Sequence, residues 1–311
     1  MQETRARVLD AVAAEPVTGP ALAEELGVSR AAVWNHVEAL REEGFEIADT
    51  GDGYELTGLP EYGGAAIEHA TNADVDVEFH EELASTNARA RELAVDGADG
   101  TVVVAERQTG GQGRLDREWD SPSGGIYASL VSRPTVPPAH APAYTLAAAV
   151  AVTDAAREAG VDAGIKWPND VLVEQPDGTA RKLAGILTEM EGEADRVSWL
   201  VVGIGVNANT PAGALPEGAT SVAAEAESVT RREFLGAVVD RFEALTDDLD
   251  AVLPAWRERA LTLGREVRVE TPDGTVEGTA TDVEFPGTLV VETADGTVRV
   301  AAGDCEHLRP R

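Results

Sequence analysis

The sequence predicts a multidomain α+β protein in three parts, and one pattern along the chain supports each part. Residues 1–60 show helical segments around a glycine turn followed by a hairpin pattern, which is typical of a winged helix-turn-helix. Residues 70–262 alternate between apolar strands and helices, which predicts a central α/β domain with a mixed sheet. Residues 263–311 contain short strands separated by glycine turns, which predicts a small β-barrel.

The charge of the chain is strongly negative. Acidic residues outnumber basic residues by 56 to 25, the formal net charge is -31, and Lys166 and Lys182 are the only lysines. An acidic surface almost free of lysine resembles the cytoplasmic proteins of halophilic archaea, where salt screens the self-repulsion. The alternative is an ordinary acidic protein. Two lysines that persist in such a chain are predicted to hold functional positions.

The composition also limits the class of protein. The sequence has no run of about twenty apolar residues and no apolar signal-peptide core, which predicts a soluble cytoplasmic protein without a membrane partner. Cys305 is the only cysteine, which excludes an intramolecular disulfide and a cysteine-rich metal site.

The first part of the chain predicts three helices and a hairpin. Apolar residues at helical spacing indicate helices over 5–14, 20–26 and 30–42, with Gly27 in the turn between the last two. Alternation on both sides of Gly51-Asp52-Gly53 predicts the wing. The third helix would be the recognition helix. Its predicted DNA-binding residues are Ser29, Arg30, Trp34, Asn35 and His36.

The charge of this part bears on DNA binding. Residues 1–58 carry four arginines against twelve carboxylates, whereas most DNA-binding domains are basic. In molar salt, counterion release contributes little for any protein, so an acidic domain that reads DNA is less paradoxical there. The alternative is a winged helix used only for packing or dimer contacts.

The stretch from Glu106 to Trp119 organises the central domain. It follows the β-branched strand 102–105, and its glycines let the backbone approach a ligand closely. Arg114 and Arg117 supply the cations that a phosphate ligand needs, since a guanidinium can grip phosphate oxygens with two hydrogen bonds. By itself the pattern favours a glycine-rich surface turn, and it is neither a Walker loop nor a Rossmann fingerprint.

Four other segments place polar residues beside predicted strands and helices. Each has a plain structural alternative, such as a helix cap for Ser85 or Thr86. Pro168 restricts strand pairing, which predicts a bulge or a sheet edge, and the polar residues around it predict a site. The segments are Ser85-Thr86-Asn87, Lys166-Trp167-Pro168-Asn169-Asp170, Arg181-Lys182-Leu183-Ala184-Gly185-Ile186 and Gly203-Ile204-Gly205-Val206-Asn207.

The last part of the chain begins with two predicted helices, over 234–253 and 256–263, separated by Pro254. Four short strands follow, and glycines mark the turns between them. A barrel of about fifty residues is near the lower limit for independent folding, so we expect it to dock on the central domain. The predicted strands are 267–269, 276–278, 288–291 and 297–300.

Together with the glycine loop Gln108-Thr109-Gly110-Gly111-Gln112-Gly113-Arg114, the four segments resemble the catalytic domain of the biotin protein ligases. Five motifs in the right order over residues 85–207 make this resemblance specific. The winged helix in front is similar to that of the bifunctional members, which also act as biotin operon repressors. The C-terminal strands look like the SH3-like domain of this family, so the resemblance covers nearly the whole chain.

The resemblance implies a two-step reaction. ATP and Mg²⁺ would activate biotin to biotinyl-5'-AMP, and a lysine of the biotin carboxyl carrier domain of an acetyl-CoA or propionyl-CoA carboxylase would then accept the biotinyl group. Both reactants of the first step are anionic, so the site needs fixed cations. No metal site in the protein is implied, because Mg²⁺ comes with ATP. Operator DNA and a homodimer are further implied partners.

The resemblance also assigns residues to roles. The implied catalytic residues are Lys182, Arg114 and Asp170, of which Asp170 would orient or deprotonate the acceptor amine. Those implied to bind biotin are Ser85, Thr86, Asn87, Gln108, Gln112, Gly113, Arg114, Lys182 and Gly185. Those implied to bind ATP or the adenylate are Arg114, Arg117, Trp119, Lys166, Asn169, Lys182, Asn207 and Arg309.

Two positions depart from the family pattern. Gln112 stands where many members have arginine, and Asp116 stands where glycine is frequent. The first change removes a cation from the loop and the second adds a repulsive charge. We therefore expect weaker retention of the adenylate, which bears on repression, with activity preserved through Arg114.

Two other functions fit parts of the sequence. A lipoate protein ligase shares the fold and the adenylation chemistry, but the Lys-Trp-Pro-Asn-Asp segment and the glycine loop favour biotin. A biotin-sensing transcription regulator without ligase turnover is the second alternative. The presence of both Lys182 and Arg114 argues against it.

Overall fold

The computed structural model describes residues 3–308, and the contacts within the chain divide it into two compact units. The first unit runs to Asn72 and includes Thr230–Gly236. The second comprises Ala73–Val229 and the chain from Ala237 onward. Over residues 3–308, no helix is both long enough and apolar enough to cross a bilayer.

The first unit contains the predicted helix-turn-helix and its hairpin. Its elements are α1 (Glu3–Ala14), α2 (Gly19–Leu26), α3 (Arg30–Glu42), β1 (Glu46–Thr50), β2 (Gly53–Gly58) and α4 (Gly64–Ala70). Gly27 ends α2 with φ +67°, a left-handed conformation that glycine adopts without strain. Val33, Val37 and Leu40 recur at helical spacing and bury one side of α3, which leaves its opposite side exposed. The predicted helix-turn-helix is confirmed.

The main part of the second unit is a seven-stranded sheet with helices packed on it. Its elements are β3 (Asp76–Leu83), α5 (Thr86–Val95), β4 (Thr101–Gln108), β5 (Ile126–Ser132), α6 (Ala141–Glu158), β6 (Ala163–Lys166), β7 (Asp170–Glu174), β8 (Ala180–Gly192), β9 (Val197–Val206), α7 (Val222–Glu225), α9 (Leu249–Arg259) and, from Ala237 onward, helix α8 (Arg231–Asp247). The strand order is β3-β4-β5-β9-β8-β7-β6. Only β3 and β4 run parallel, so the sheet is mixed as predicted. Pro168 lies in the turn from edge strand β6 to β7, where a missing N–H disturbs no ladder.

The C-terminal strands form an open antiparallel sheet rather than the closed barrel that the sequence predicted. They are β10 (Glu266–Thr271), β11 (Gly274–Glu284), β12 (Thr288–Thr293), β13 (Gly296–Val300) and β14 (Asp304–His307). Their order is β13-β12-β11-β10-β14, and within residues 3–308 no ladder joins the edge strands β13 and β14. Four of the five residues of β13 are exposed, so this strand has little apolar surface with which to close a barrel.

Pro254 does not separate two helices, contrary to the prediction. The break falls at Asp248, whose φ and ψ of -132° and 82° are non-helical and whose side chain accepts a hydrogen bond from Asp250 N. A proline inside a helix costs about 3 kcal/mol because it removes one hydrogen bond and crowds the preceding turn. The complete burial of Val252 and Trp256 on α9 offsets this loss.

Candidate active site

A cavity of about 370 Å³ opens in the second unit where the predicted segments meet. Its walls come from the start of α5, the glycine loop after β4, strands β7 to β9 and the segment 216–219. Cavities of this size bind small molecules. The predicted residues that line it are Ser85, Thr86, Asn87, Gln108, Gln112, Gly113, Arg114, Arg117, Trp119, Asn169, Asp170, Lys182, Gly185 and Asn207. Lys166 contacts Asp170 without lining the cavity, and Arg309 lies outside the described residues.

Glycines on β8 and β9 leave room for the cavity. A Cβ added to Gly203 would lie 2.1 Å from Asn87 Oδ1, and one added to Gly205 would lie 2.7 Å from the Trp119 indole. Gly185 is the cross-strand partner of Gly205, and its Cβ would lie 3.2 Å from the same indole. The Gly-x-Gly pattern of β9 therefore permits side chains of other elements to approach the strand.

A buried hydrogen-bond network presents neutral side chains to one part of the cavity. Thr86 donates from its backbone N and its hydroxyl to Gln108 Oε1, at 2.7 and 3.1 Å. Asn87 Nδ2 donates to Glu189 Oε2 at 2.9 Å, and Ser129 Oγ lies 2.6 Å from Asn87 Oδ1. Thr86, Asn87 and Ser129 are all more than nine-tenths buried. Because their partners fix them, these groups offer preorganised hydrogen bonds to a ligand with amide-like groups.

Ser85 and Gln112 line the cavity and also have local structural roles. Ser85 Oγ accepts a hydrogen bond from Ala88 N at 3.3 Å and caps α5, as the structural alternative predicted. Gln112 pairs with Glu118 across the glycine loop and is exposed. The cap does not exclude a ligand contact, since a serine hydroxyl that accepts one hydrogen bond still has its own proton to donate.

The glycine loop folds back on itself as a short hairpin. Gly113 N donates to Arg117 O at 2.7 Å, and Trp119 N donates to Gly111 O at 2.9 Å. A Cβ on Gly111 would lie 2.5 Å from Trp119 O, so the close approach of the two strands requires a glycine there. At the tip, Leu115 is 69% exposed with φ +58°, a left-handed conformation that costs a leucine about 1–2 kcal/mol. The strain lies in a segment that lines the cavity.

Two arginines of the loop contact the start of β14 and the residue before it. Arg114 donates to Asn169 Oδ1 at 2.9 Å and to Gly303 O at 2.8 Å. Arg117 forms an ion pair with Asp304. Burial lowers the pKa of Arg114 from its ordinary value, but a guanidinium remains charged in proteins. Arg114 is therefore a cation held in place at the cavity wall.

Asp170 holds both lysines of the chain. Lys182 Nζ lies 2.6 Å from Asp170 Oδ1, and Lys166 Nζ lies 3.1 Å from Asp170 Oδ2. Lys182 Nζ also lies 5.2 Å from the centroid of the Trp119 ring, within the range of a cation–π contact. Burial acts to raise the pKa of Asp170, but the two lysines outweigh it and hold the pKa below its ordinary value. Asp170 is therefore an ionised carboxylate, a weak base that positions two ammonium groups.

Sequence reasoning missed residues in three places. Ser129 joins the buried network, but a serine within the apolar strand β5 gives no signal. Gly303 and Asp304 reach the glycine loop from a part of the chain that is far away in sequence. The segment around Gly218 lies beside β8, where Lys182 N donates to Gly218 O at 2.8 Å. In the sequence this segment has only the appearance of a turn.

The first unit carries a second candidate site on α3. Ser29 caps this helix by accepting a backbone hydrogen bond at 3.1 Å. Arg30, Trp34 and Asn35 are exposed, whereas His36 is partly buried. Within residues 3–308, these three side chains are therefore accessible to solvent, as a recognition helix requires.

Comparison with known protein families finds matches in three parts of the chain. The Biotin/lipoate A/B protein ligase family matches residues 83–207. The Biotin protein ligase C terminal domain matches residues 262–308, and an HTH domain matches residues 7–55.

Individual relatives match over greater lengths. The Bifunctional ligase/repressor BirA of Bacillus subtilis is 36% identical over 310 residues, which cover 94% of this chain and 94% of the relative. A Biotin--[acetyl-CoA-carboxylase] ligase of Paracoccus denitrificans is 35% identical over 221 residues, which cover 67% of this chain and 90% of the relative. The structure of the biotin protein ligase from Aquifex aeolicus in complex with biotin and ATP shares the fold, with a TM-score of 0.61 and 24% identity over 75% of this chain and 99% of that one. Because the chain is similar to the bifunctional relative along almost the full length of both proteins, it belongs to the family of bifunctional biotin protein ligase/repressors.

Proposed function

We propose that this chain joins biotin to a carboxylase through a biotinyl-5'-AMP intermediate and also represses transcription. The observation that carries the ligase activity is one cavity that combines two fixed cations, Lys182 and Arg114, with the buried neutral network around Thr86 and Asn87. An anionic carboxylate and phosphate match the cations. The uncharged ureido ring of biotin matches the network.

In the first step, a carboxylate oxygen of biotin bonds to the α-phosphorus of ATP. The bond from that phosphorus to the bridging oxygen breaks, and pyrophosphate leaves with the electron pair. Lys182 and Arg114 are assigned to the junction of carboxylate and phosphate, where charge accumulates in the transition state. Mg²⁺ neutralises triphosphate charge when it is bound. Glu118, Asp120 and Glu217 line the cavity, but they are not grouped closely enough to hold a metal ion, so the ion is assigned to the triphosphate that carries it.

In the second step, the amine of the acceptor lysine attacks the acyl carbon of the mixed anhydride. A carbon–nitrogen bond forms, the carbon–oxygen bond to phosphate breaks, AMP leaves with the electron pair and the amine proton passes to water. Asp170 is assigned an orienting role, because a carboxylate with a lowered pKa is too weak a base to deprotonate an ammonium group. Lys166 acts through Asp170 and not directly on the nucleotide.

The remaining assignments follow from position in the cavity, except that of Arg309, which rests on the resemblance alone. Arg117 and Arg309 are assigned to the nucleotide, and the exposed Gln112 makes the loop less cationic. Biotin is assigned to Ser85, Thr86, Asn87, Gln108, Gln112, Gly113 and Gly185, and the adenylate is assigned to Trp119, Asn169 and Asn207.

The repressor activity is assigned to α3, with Arg30, Trp34 and Asn35 facing operator DNA. The match to an HTH domain and the ligase/repressor name of the Bacillus subtilis relative support it. The lipoate alternative is disfavoured because the relatives from Bacillus subtilis and Paracoccus denitrificans are a ligase/repressor and a biotin ligase. The sensor-only alternative is disfavoured because both Lys182 and Arg114 line the cavity.

Four further parts of the proposal have their own tests. A homodimer would change the sedimentation of the protein when biotin and ATP are added. A halophilic archaeal source, supported by the net charge of -31, predicts that the thermal midpoint rises with KCl concentration. The C-terminal sheet is assigned an SH3-like fold, which a crystal structure tests. A cytoplasmic location is tested by fractionating cells.

The test of the ligase is ATP-dependent transfer of biotin to a carrier-domain lysine, in molar KCl with Mg²⁺ and with lipoate as the competing acid. We expect transfer of biotin only. Lys182→Ala should lower pyrophosphate release by at least about 100-fold, which is typical of a lost transition-state contact. The matched control is Arg181→Ala, since this exposed neighbouring cation does not line the cavity. Normal pyrophosphate release by Lys182→Ala would refute the assignment, and preferential use of lipoate would refute the choice of substrate.

A further inference from the structure

The exposed face of α3 carries a large apolar side chain. Trp34 is 54% exposed, and it is the only large apolar residue among residues 3–72 that is this exposed. Arg30, Ala31 and Asn35 are exposed with it at helical spacing, so the four residues share one face, called here the α3 face. Tryptophan on an open surface is typical of a contact residue, since it buries a large area at little cost in side-chain entropy.

The α3 face is not acidic, although the first unit is. No carboxylate occurs in residues 28–37, and the next one, Glu38, is paired with Arg41 at 2.6 Å. Arg30 makes no ion pair within residues 3–308, whereas Arg5 is paired with Glu43. The α3 face therefore carries no negative charge that would repel the phosphates of a DNA duplex, although residues 1–58 contain twelve carboxylates.

The hairpin beside α3 adds no cation that could neutralise a phosphate. Residues 46–58 include no lysine or arginine, and Asp49, Asp52 and Glu55 lie along them. Since phosphate neutralisation normally supplies most of the affinity for DNA, this unit must obtain its affinity from contacts with bases. The thymine C5 methyl is the apolar group that the major groove presents to a side chain.

We propose that Trp34 recognises thymine methyl groups in the major groove, and that the specific affinity depends only weakly on salt. The inference rests on the DNA-binding part of the proposed function. Arg30 is the single unpaired cation of the α3 face, so the logarithm of affinity should fall with the logarithm of salt with a slope no steeper than about -1 for each copy of the chain that is bound.

The test uses full-length protein and a duplex that it enriches from a randomised DNA library. Affinity for that duplex is compared with affinity for the same duplex in which deoxyuridine replaces thymine, a change that removes only the methyl groups. The wild type should lose about fourfold for each thymine that Trp34 contacts, from the transfer free energy of one methyl group. Trp34→Ala should bind both duplexes equally, and Trp34→Phe should retain part of the difference. Val95→Ala is the control, since it truncates an exposed apolar residue of the second unit and should behave as wild type.

Each other outcome overturns the inference in a distinct way. Equal affinity of the wild type for both duplexes, or a steep salt slope, contradicts the methyl contact and leaves the repressor intact. A change in oligomeric state caused by Trp34→Ala in the absence of DNA would assign the face to a second copy of the chain. Failure to enrich any sequence would remove the DNA-binding part of the proposed function as well, while the biotin transfer assay would be unaffected.

Discussion

Replacing Gly205 by alanine tests whether the position of Trp119 determines nucleotide binding. The new Cβ would lie 2.7 Å from two atoms of the Trp119 indole. Carbon atoms make favourable contacts at about 3.5–4.0 Å, so one of the two groups must move by roughly 1 Å. Strand β9 is hydrogen-bonded to β5 on one side and to β8 on the other, so we expect the indole to move.

The contacts of the indole allow an estimate of how far its movement lowers the activity. The indole lies against Lys182 Nζ, and a misplacement of about 1 Å near a reacting group can lower activity by about 100-fold. Overpacking itself costs about 1–3 kcal/mol, which corresponds to a factor of about 5–160. We therefore expect kcat/KM for ATP to fall by about 10–100-fold. The KM for biotin should change less, since the network around Thr86 and Asn87 is untouched.

The assay is the initial rate of pyrophosphate release at varied ATP and saturating biotin, with thermal unfolding as a check on the fold. Gly185→Ala is a comparison variant, because its Cβ would lie 3.2 Å from both the indole and Lys182 Cε, a milder contact that should have a smaller effect. Gly213→Ala is a neutral control, because its Cβ would meet no atom within 4 Å. Wild-type kinetics for ATP in Gly205→Ala would show that the position of Trp119 does not matter, and the reasoning would be wrong.

Two further predictions concern the C-terminal sheet. Thr262 Oγ accepts a hydrogen bond from Trp167 N at 2.9 Å and lies 3.0 Å from His307 Nε2, and burial lowers the pKa of His307 from 6.5 to about 4. Between pH 6.5 and 4 the imidazole of His307 is protonated in the unfolded chain but stays neutral in the folded chain, so the thermal midpoint should fall as the pH is lowered through this range. The midpoint should fall less in His307→Asn. Identical plots of midpoint against pH for the two proteins would contradict a neutral His307 in the folded state. Asp304→Ala should change the free energy of unfolding by less than about 1 kcal/mol, because its ion pair with Arg117 is exposed. Dissociation of biotinyl-5'-AMP should nevertheless accelerate several-fold, and an unchanged rate would show that the glycine loop does not depend on Asp304.

The parts of the site that could be predicted from the sequence are those whose chemistry is local. Lys182 and Asp170 were recognisable because ionisable residues beside apolar strands are rarely placed there for packing. The glycines of β9 were recognisable because a strand interior seldom contains them without a close approach. Short-range patterns of this kind also predicted α3 with its observed ends, since Ser29 supplies the cap and the apolar spacing is regular.

The parts that could not be predicted depend on contacts between distant segments. Arg114 and Gly303 are separated by 189 positions, and nothing near either residue indicates the other. The open sheet was missed because the strand pattern does not specify whether edge strands meet, and β14 was missed because Asp-Cys-Glu-His has no strand pattern. The helix break predicted at Pro254 was wrong because the burial of Trp256 outweighs the tendency of proline to end a helix.

The ion pairs of Asp170 have a consequence for the fate of the intermediate. A mixed anhydride acylates whichever free amine it meets, and an enzyme that makes one is exposed to labelling by its own product. This chain has two side-chain amines in all, and Asp170 engages both. Its other basic side chains are the guanidinium groups of arginine and the imidazoles of five histidines. The guanidinium groups stay protonated in proteins, so they have no free electron pair with which to attack the anhydride. An activated acyl group that escapes from the cavity therefore finds few targets on the protein that made it.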